Sequence, residues 1–353
     1  MNKTIFTFLS ITILTLIILP TQKLSAREGG ILGNCLTNSS FSLSTKNQPK
    51  PSGLFLVLEN GKISYIDKTG KKIITLPSSV LGQPFSEGLA KIEIQGKSGY
   101  IDTTGKIVIP PQYIYATDFS EGLAAVKIND KYGYIDTTGK IVIPPILDYG
   151  SKFSEGLAAV SINNKKFYIN KTGKIVISTN FKAIGSFSEG LAWVLNNTQF
   201  GYIDKTGKIV IPPQFNCVGN FSEGLAWIGN NKKGYIDKTG KIVIPPQFYE
   251  VNNFSEGLAA VRFGTKKGYI DKTGKNIIPA QFYDAKDFSE GLAAVQIGNY
   301  NDKYGYIDKN GKIVIPPKFD LALNFWGELA VIRIGDNWGY TDKTGKIIGN
   351  PTE

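Results

Sequence analysis

The 353-residue chain contains no histidine, which removes Ser-His-Asp and Cys-His catalysis and any imidazole metal site. What it offers instead is acid. An aspartate and a glutamate recur at a fixed spacing, as in Asp204 and Glu223, and two carboxylates ~5–9.5 Å apart suffice for glycoside hydrolysis. These acids recur at turn positions, however, where a carboxylate ordinarily accepts backbone N–H groups. A catalytic site needs one copy to differ from its neighbours, and by their acids none stands out. Asp-Lys-Thr-Gly gives one carboxylate beside a lysine, whereas calcium takes six to eight oxygens. Thr-Gly-Lys lies at a hairpin tip with no helix behind it, so it does not read as a phosphate loop. No catalytic residue, metal or cofactor is expected.

One position does break the repetition. The residue after Leu-Ala is Ala125, Ala159, Ala260 and Ala294 in four copies, Lys91 in an early one and Val331 in the last. In two consecutive copies it is Trp193 and Trp227. Overfilling a packed core costs about 1–3 kcal/mol, so a place that takes Ala, Lys and Trp reads as open to a groove. Stacking in register would set the two indoles side by side, as an apolar platform for a sugar ring or a protein partner. Trp193 and Trp227 are therefore the candidate binding residues. The plainer account is that both rings merely cover exposed sheet.

The elements that position these residues follow from the period. GYIDKTGKIVIPPQF occupies Gly201 to Phe215 and returns from Gly234 to Phe248. Its tyrosine recurs nine times from Tyr65 to Tyr340, and FSEGLA starts at Phe85 and again about every 34 residues. Such a period denotes a repeat architecture. Length changes collect between LAAV and GYID, as at Gly298–Lys303, which marks a loop tip. Asp-Lys-Thr-Gly reads as a tight hairpin turn, and Pro-Pro as the end of a third strand. Each unit is thus a three-stranded antiparallel meander of LAAV, GYID and KIVI, followed by a variable five-residue link. One such sheet cannot bury its faces alone, so units must stack. The fold class is all-β. The nine units should form an open, curved, propeller-like array over residues 54–353, with a closed β-propeller as the alternative.

Residues 1–26 are a different text. Lys3 precedes an uncharged run from Ile5 to Leu19, Pro20 breaks it, and Ala26 offers a small residue for cleavage. This reads as a secretory signal followed by a linker over residues 27–53, with no membrane span left after cleavage. The net charge of +11 suits anionic surfaces, yet the lysines are spread evenly, as on a solvated face. Cys35 and Cys217 are the only cysteines and could pair in an oxidising compartment. Export argues against nucleic acid.

The pattern G-Y-I-D-x-T-G-K-x-V-I-P-P-x-F followed by F-S-E-G-L-A-x-V resembles the bacterial WG-repeat family, over roughly Leu54 to Gly349. The naming dipeptide itself survives only as Trp338-Gly339; its first place elsewhere holds residues such as Ser98, Tyr132, Phe200 or Lys267. The resemblance implies an exported or surface-associated repeat protein and brings no catalytic residues. The expected function is a non-enzymatic binding or scaffold module for a protein or a cell-envelope polysaccharide. A carbohydrate-active enzyme using Asp and Glu, and a spacer without ligand, are the alternatives.

Overall fold

The computed structural model describes residues 53–59 and 61–349. Residues 1–52, with the expected signal segment, the expected linker up to residue 52 and Cys35, lie outside them. Among the described residues all regular structure is strand. The chain divides into two compact bodies, one running through Lys152 and including Ile348 and Gly349, the other from Phe153 to Ile347.

In the first body a three-stranded sheet (Phe55–Glu59, Lys62–Ile66, Lys72–Thr75) precedes two four-stranded antiparallel meanders. The second of these runs Tyr115–Ala116, Leu123–Ile128, Lys131–Asp136 and Ile141–Leu147. In the second body the meander Ala183–Ile184, Leu191–Leu195, Phe200–Asp204 and Ile209–Phe215 has the same form. The three strands read from the sequence are present, and the variable link adds a fourth. Tyr115 and Ala116 pair with Lys127 and Val126; elsewhere the addition shrinks to a single bridge, Val218 to Ile228. Two residues beside a strand suffice to satisfy the open N–H and C=O groups of LAAV, which would otherwise be an unpaired edge.

Pro-Pro does not end the third strand. Ile209–Phe215 runs through both prolines, because the ladder bulges there: Tyr202 faces Ile211 while Phe200 faces Phe215. The bulge hides the missing donors and presses the backbone onto Gly201, where a Cβ would stand 2.4 Å from the Ile211 carbonyl oxygen. The fourth unit supports this reading. Phe167 replaces the glycine, Ser178-Thr179 replaces Pro-Pro, and Phe167 faces Ser178 in regular register.

The DKTG turn is as expected. Asp204 Oδ1 accepts the Thr206 N–H at 2.9 Å, the Thr206 hydroxyl at 2.6 Å and the Lys208 N–H at 3.0 Å. The threonine hydroxyl bond leads in holding this carboxyl below the usual aspartate range. Gly207 closes the turn at φ 87° and rests on Ile177 of the preceding unit. In the first body Gly70 rests in the same way on Ile348.

The core lies between neighbouring sheets. Tyr100, Ile109 and Tyr113 of one unit pack with Phe119, Ala124 and Val126 of the next. At FSEG the chain turns in two residues, Ser120 N–H to Leu123 O at 2.9 Å, with both Glu121 (φ 55°) and Gly122 (φ 85°) left-handed. That is the geometry of a type I′ hairpin turn, where Asn-Gly is the usual choice. Glutamate is there for its reach. Glu87 accepts the Glu121 and Gly122 N–H groups of the next unit at 2.7 and 2.8 Å, and Glu189 does the same with Glu223 and Gly224 at 2.6 and 2.8 Å. Lys238 of the following unit adds an ion pair to Glu189 at 3.3 Å. Beside this bond Ser188 donates to the Phe221 carbonyl at 2.8 Å, and the Tyr202 hydroxyl to the Gly219 carbonyl at 2.6 Å.

Removing the carboxylate by Glu189→Ala leaves two turn N–H groups without their acceptor. It should lower stability by about 1–3 kcal/mol, read as a fall in the midpoint of thermal or denaturant unfolding. An unchanged midpoint would show that water replaces the carboxylate at no cost.

Candidate binding surface

The tryptophan place lies on the second strand of its unit, directly across from the link. Gly185 donates to the Trp193 carbonyl and Gly219 to the Trp227 carbonyl, both at 2.9 Å. Each indole folds over that glycine. A Cβ on Gly185 would stand 2.3 Å from Trp193 Nε1, and one on Gly219 would stand 2.1 Å from Trp227 Nε1. Trp227 is 8% exposed within a core cluster of Cys217, Tyr235, Phe248 and Phe254. Trp193 is half-buried, packs against the same cluster and meets Phe200 edge-on at 5.6 Å between centroids. The expectation of a place open to a groove therefore does not hold at Trp227, and only Trp193 keeps a partly exposed ring.

The reason is a compensating change in the link. Two residues before the FSEG phenylalanine stands Thr117, Ser151, Asn252 or Lys286 in the units that carry Ala, and glycine only in the two that carry Trp. The ring occupies room that a link side chain fills elsewhere, so Trp is accepted without overfilling. Lys91, at the same place, reaches across and donates to the Ala116 carbonyl of the next unit at 3.1 Å.

A second departure from the repeat was not read from the sequence. The link Tyr283–Asp287 carries two acids, so one unit does differ in its carboxylates. Asp284 sits between Lys267 (2.8 Å) and Lys286 (2.7 Å) and accepts the Tyr304 hydroxyl at 2.9 Å. Although burial opposes it, the two ammonium groups hold its carboxyl well below the usual range. Asp287 is 4% exposed and accepts the Asn252 side-chain amide at 2.7 Å. Burial raises its pKa to about 6 against the pull of that bond and of Lys286 and Lys267, with the Tyr235 and Tyr269 hydroxyls also in its field. Carboxylates pushed in opposite directions can mark acid and base roles. Here one is buried and the other is occupied by two lysines and a tyrosine, so the arrangement braces two neighbouring links and the strands beside them. The signal was present in sequence, as an acid directly before the FSEG phenylalanine, shared only with Asp118.

Among the described residues no group of three or more Cys, Asp or Glu side chains could hold a metal ion, and no helix is long and apolar enough to cross a membrane. Cys217 is buried and disulfide-bonded.

The sequence pattern of the WG containing repeat matches residues 99–132, 132–165, 167–197, 200–233, 234–266, 268–300 and 304–338. No curated protein matches the chain by sequence. Among solved structures, a eukaryotic initiation factor is similar over 75% of this chain and 85% of its own, at 14% identity and TM-score 0.58. BamB from Moraxella catarrhalis is 12% identical over 77% of this chain and 94% of its own, with TM-score 0.44. Apo AztD from Citrobacter koseri is 13% identical over 74% and 92%, with TM-score 0.42. At such identities the first likeness concerns the fold alone.

Two measurements check these assignments. Trp227→Ala should destabilise by about 3–5 kcal/mol, and adding Gly219→Ser should recover part of the loss, since Ala with a link side chain is the pairing other units use. Gly219→Ser alone should destabilise through its clash with the indole; additive losses in the double variant would refute the compensation. For Asp287 the unfolded carboxyl ionises near 3.8 and the folded one near 6. Between those values the native state holds the extra proton, so stability falls as pH rises through that window and levels off above it. Asp287→Asn, which keeps the acceptor for Asn252, should therefore gain roughly 3 kcal/mol at pH 7.5 and nothing at pH 3.5. A gain independent of pH would contradict the assignment.

Proposed function

Since this chain belongs to the WG containing repeat family, we propose that it is an exported, non-enzymatic binding or scaffold module whose partner is a protein or an envelope polysaccharide. The observation that carries this reading is the employment of the repeated acids. Asp204 and its equivalents hold their own turns, and Glu87, Glu189 and Glu290 hold the turn of the next unit. The repeated carboxylates are thus engaged in structure, while the links that vary between units face outward in part, with Ile114 57%, Tyr149 50% and Tyr249 52% exposed. Variable segments on a constant scaffold are where binding specificity resides in many folds. Trp193 and Trp227 belong to this proposal in unequal roles: the half-buried Trp193 keeps part of its ring for a partner, and Trp227 is buried in the cluster Trp193 packs against.

Export is supported by the uncharged run Ile5–Leu19 before Ala26 and by the disulfide at Cys217, a bond that persists in oxidising compartments. The test uses the full-length gene product in its native envelope fraction. Mass spectrometry should find the chain beginning at Arg27, and the immobilised chain should retain a protein or polysaccharide that it does not consume. Release of shortened product from a polysaccharide, abolished by a single Asp or Glu substitution, would replace this reading with the enzymatic one. Retention of nothing would leave a spacer.

A further inference from the structure

In the first body three tyrosines from two units form a surface row. Tyr115 belongs to a link strand, Tyr132 stands two strands away on the same sheet face, and Tyr149 begins the following link. Tyr132 occupies the first place of the Trp-Gly dipeptide, in the form Tyr-Gly. The ring centroids of Tyr115 and Tyr132 are 5.8 Å apart, and those of Tyr132 and Tyr149 are 6.1 Å apart. Tyr115 is 46% and Tyr149 50% exposed. This is a track with apolar ring surface along it and phenolic groups on the rings, not an enclosed pocket.

The second body carries comparable rings in a different state. Lys232 lies over the Tyr249 ring at 3.2 Å, and Lys266 over the Tyr283 ring at 6.0 Å. The matching lysine of the first body, Lys131, is drawn aside to Asp148, which stands where the other units have Tyr249 or Tyr283. A second cation beside the row, Lys127, is held by Asp130 at 2.9 Å. The row therefore offers aromatic surface with Lys127 and Lys131, the lysines on its own sheet, each paired to an aspartate.

We propose that Tyr115, Tyr132 and Tyr149 bind an uncharged polysaccharide. This deepens the binding-module reading and rests on it. The argument for a sugar over other occupants is chemical. Sugar C–H faces lie on aromatic rings while their hydroxyls bond to groups at the ring edge, which a tyrosine provides on the same side chain. An elongated row suits a linear chain. Paired lysines give no net charge to recruit an anionic polymer or an acidic protein surface.

The test is affinity electrophoresis of the full mature chain through gels containing mixed-linkage β-glucan, glycol chitin or polygalacturonate. Tyr115→Ala/Tyr149→Ala removes the two exposed rings and leaves the half-buried Tyr132; its unfolding midpoint should stay close to that of the parent chain. The parent should be retarded by at least one of the two neutral polymers and not by polygalacturonate. The double variant should bind that polymer about tenfold more weakly or not at all. Retardation only by polygalacturonate, equal retardation of parent and variant, or none on any gel would overturn the proposal. Retention of an envelope component by both proteins alongside any of those results would keep the module reading and sink only the tyrosine row.

Discussion

At six corners a repeat is held to its successor by a glutamate in a backbone conformation that glutamate disfavours. The left-handed region costs an ordinary residue roughly 1–2 kcal/mol, and Asn-Gly would serve the same two-residue turn with less strain. Asparagine, though, is one methylene shorter and carries no charge. Glu189 reaches the N–H groups of Glu223 and Gly224 with both carboxylate oxygens. Hydrogen bonds to a charged group contribute about 1.5–3 kcal/mol each, so the strain is outweighed where one carboxylate holds two N–H groups, as at Glu87, Glu189 and Glu290. The clasp also fixes spacing. Once one turn is pinned to the next, the Ser188 hydroxyl meets the Phe221 carbonyl, the Tyr202 hydroxyl meets the Gly219 carbonyl, and the Tyr202 and Phe221 rings close to 4.9 Å. The core between the sheets is the space these polar bonds leave.

Changes elsewhere in the unit come in matched sets. Glycine before the tyrosine goes with the Pro-Pro bulge, and Phe167 goes with Ser178-Thr179 and a ladder in regular register from Lys166 to Tyr168. Tryptophan after Leu-Ala goes with Gly185 or Gly219, and alanine with a larger link residue. A close-packed interior admits a volume change only if a neighbour gives way. Nine copies in one chain display that rule without any second protein for comparison.

This also explains what could be read in advance. The period, the DKTG turn and the three long strands were legible because their signals are local: alternating β-branched residues and a glycine at positive φ. The fourth strand was not, since Tyr115–Ala116 or Ala183–Ile184 carries no strand pattern and pairs only because LAAV lies beside it. The proline bulge was missed because proline's lost donor was counted without asking what the facing glycine allowed. Its own column of Ala, Lys and Trp makes Trp227 look open, whereas its burial is set by Gly219 across in the link. Asp287 was passed over for the same reason. In each case the missing information lay in a pair of positions, not in either one.

The pairing rule also separates two kinds of variable residue. Asp287, Asn252, Gly219 and Trp227 vary between units but are bound to a partner, so a change at one demands a change at another. Tyr115 and Tyr149 vary and are half exposed, and each ring lies against Tyr132. A surface ring can be gained or lost without disturbing the glutamate clasp or the core beneath it. A repeat scaffold of this kind therefore acquires recognition most readily on the outward residues of its links, and the inward ones, however variable they look, remain part of the packing.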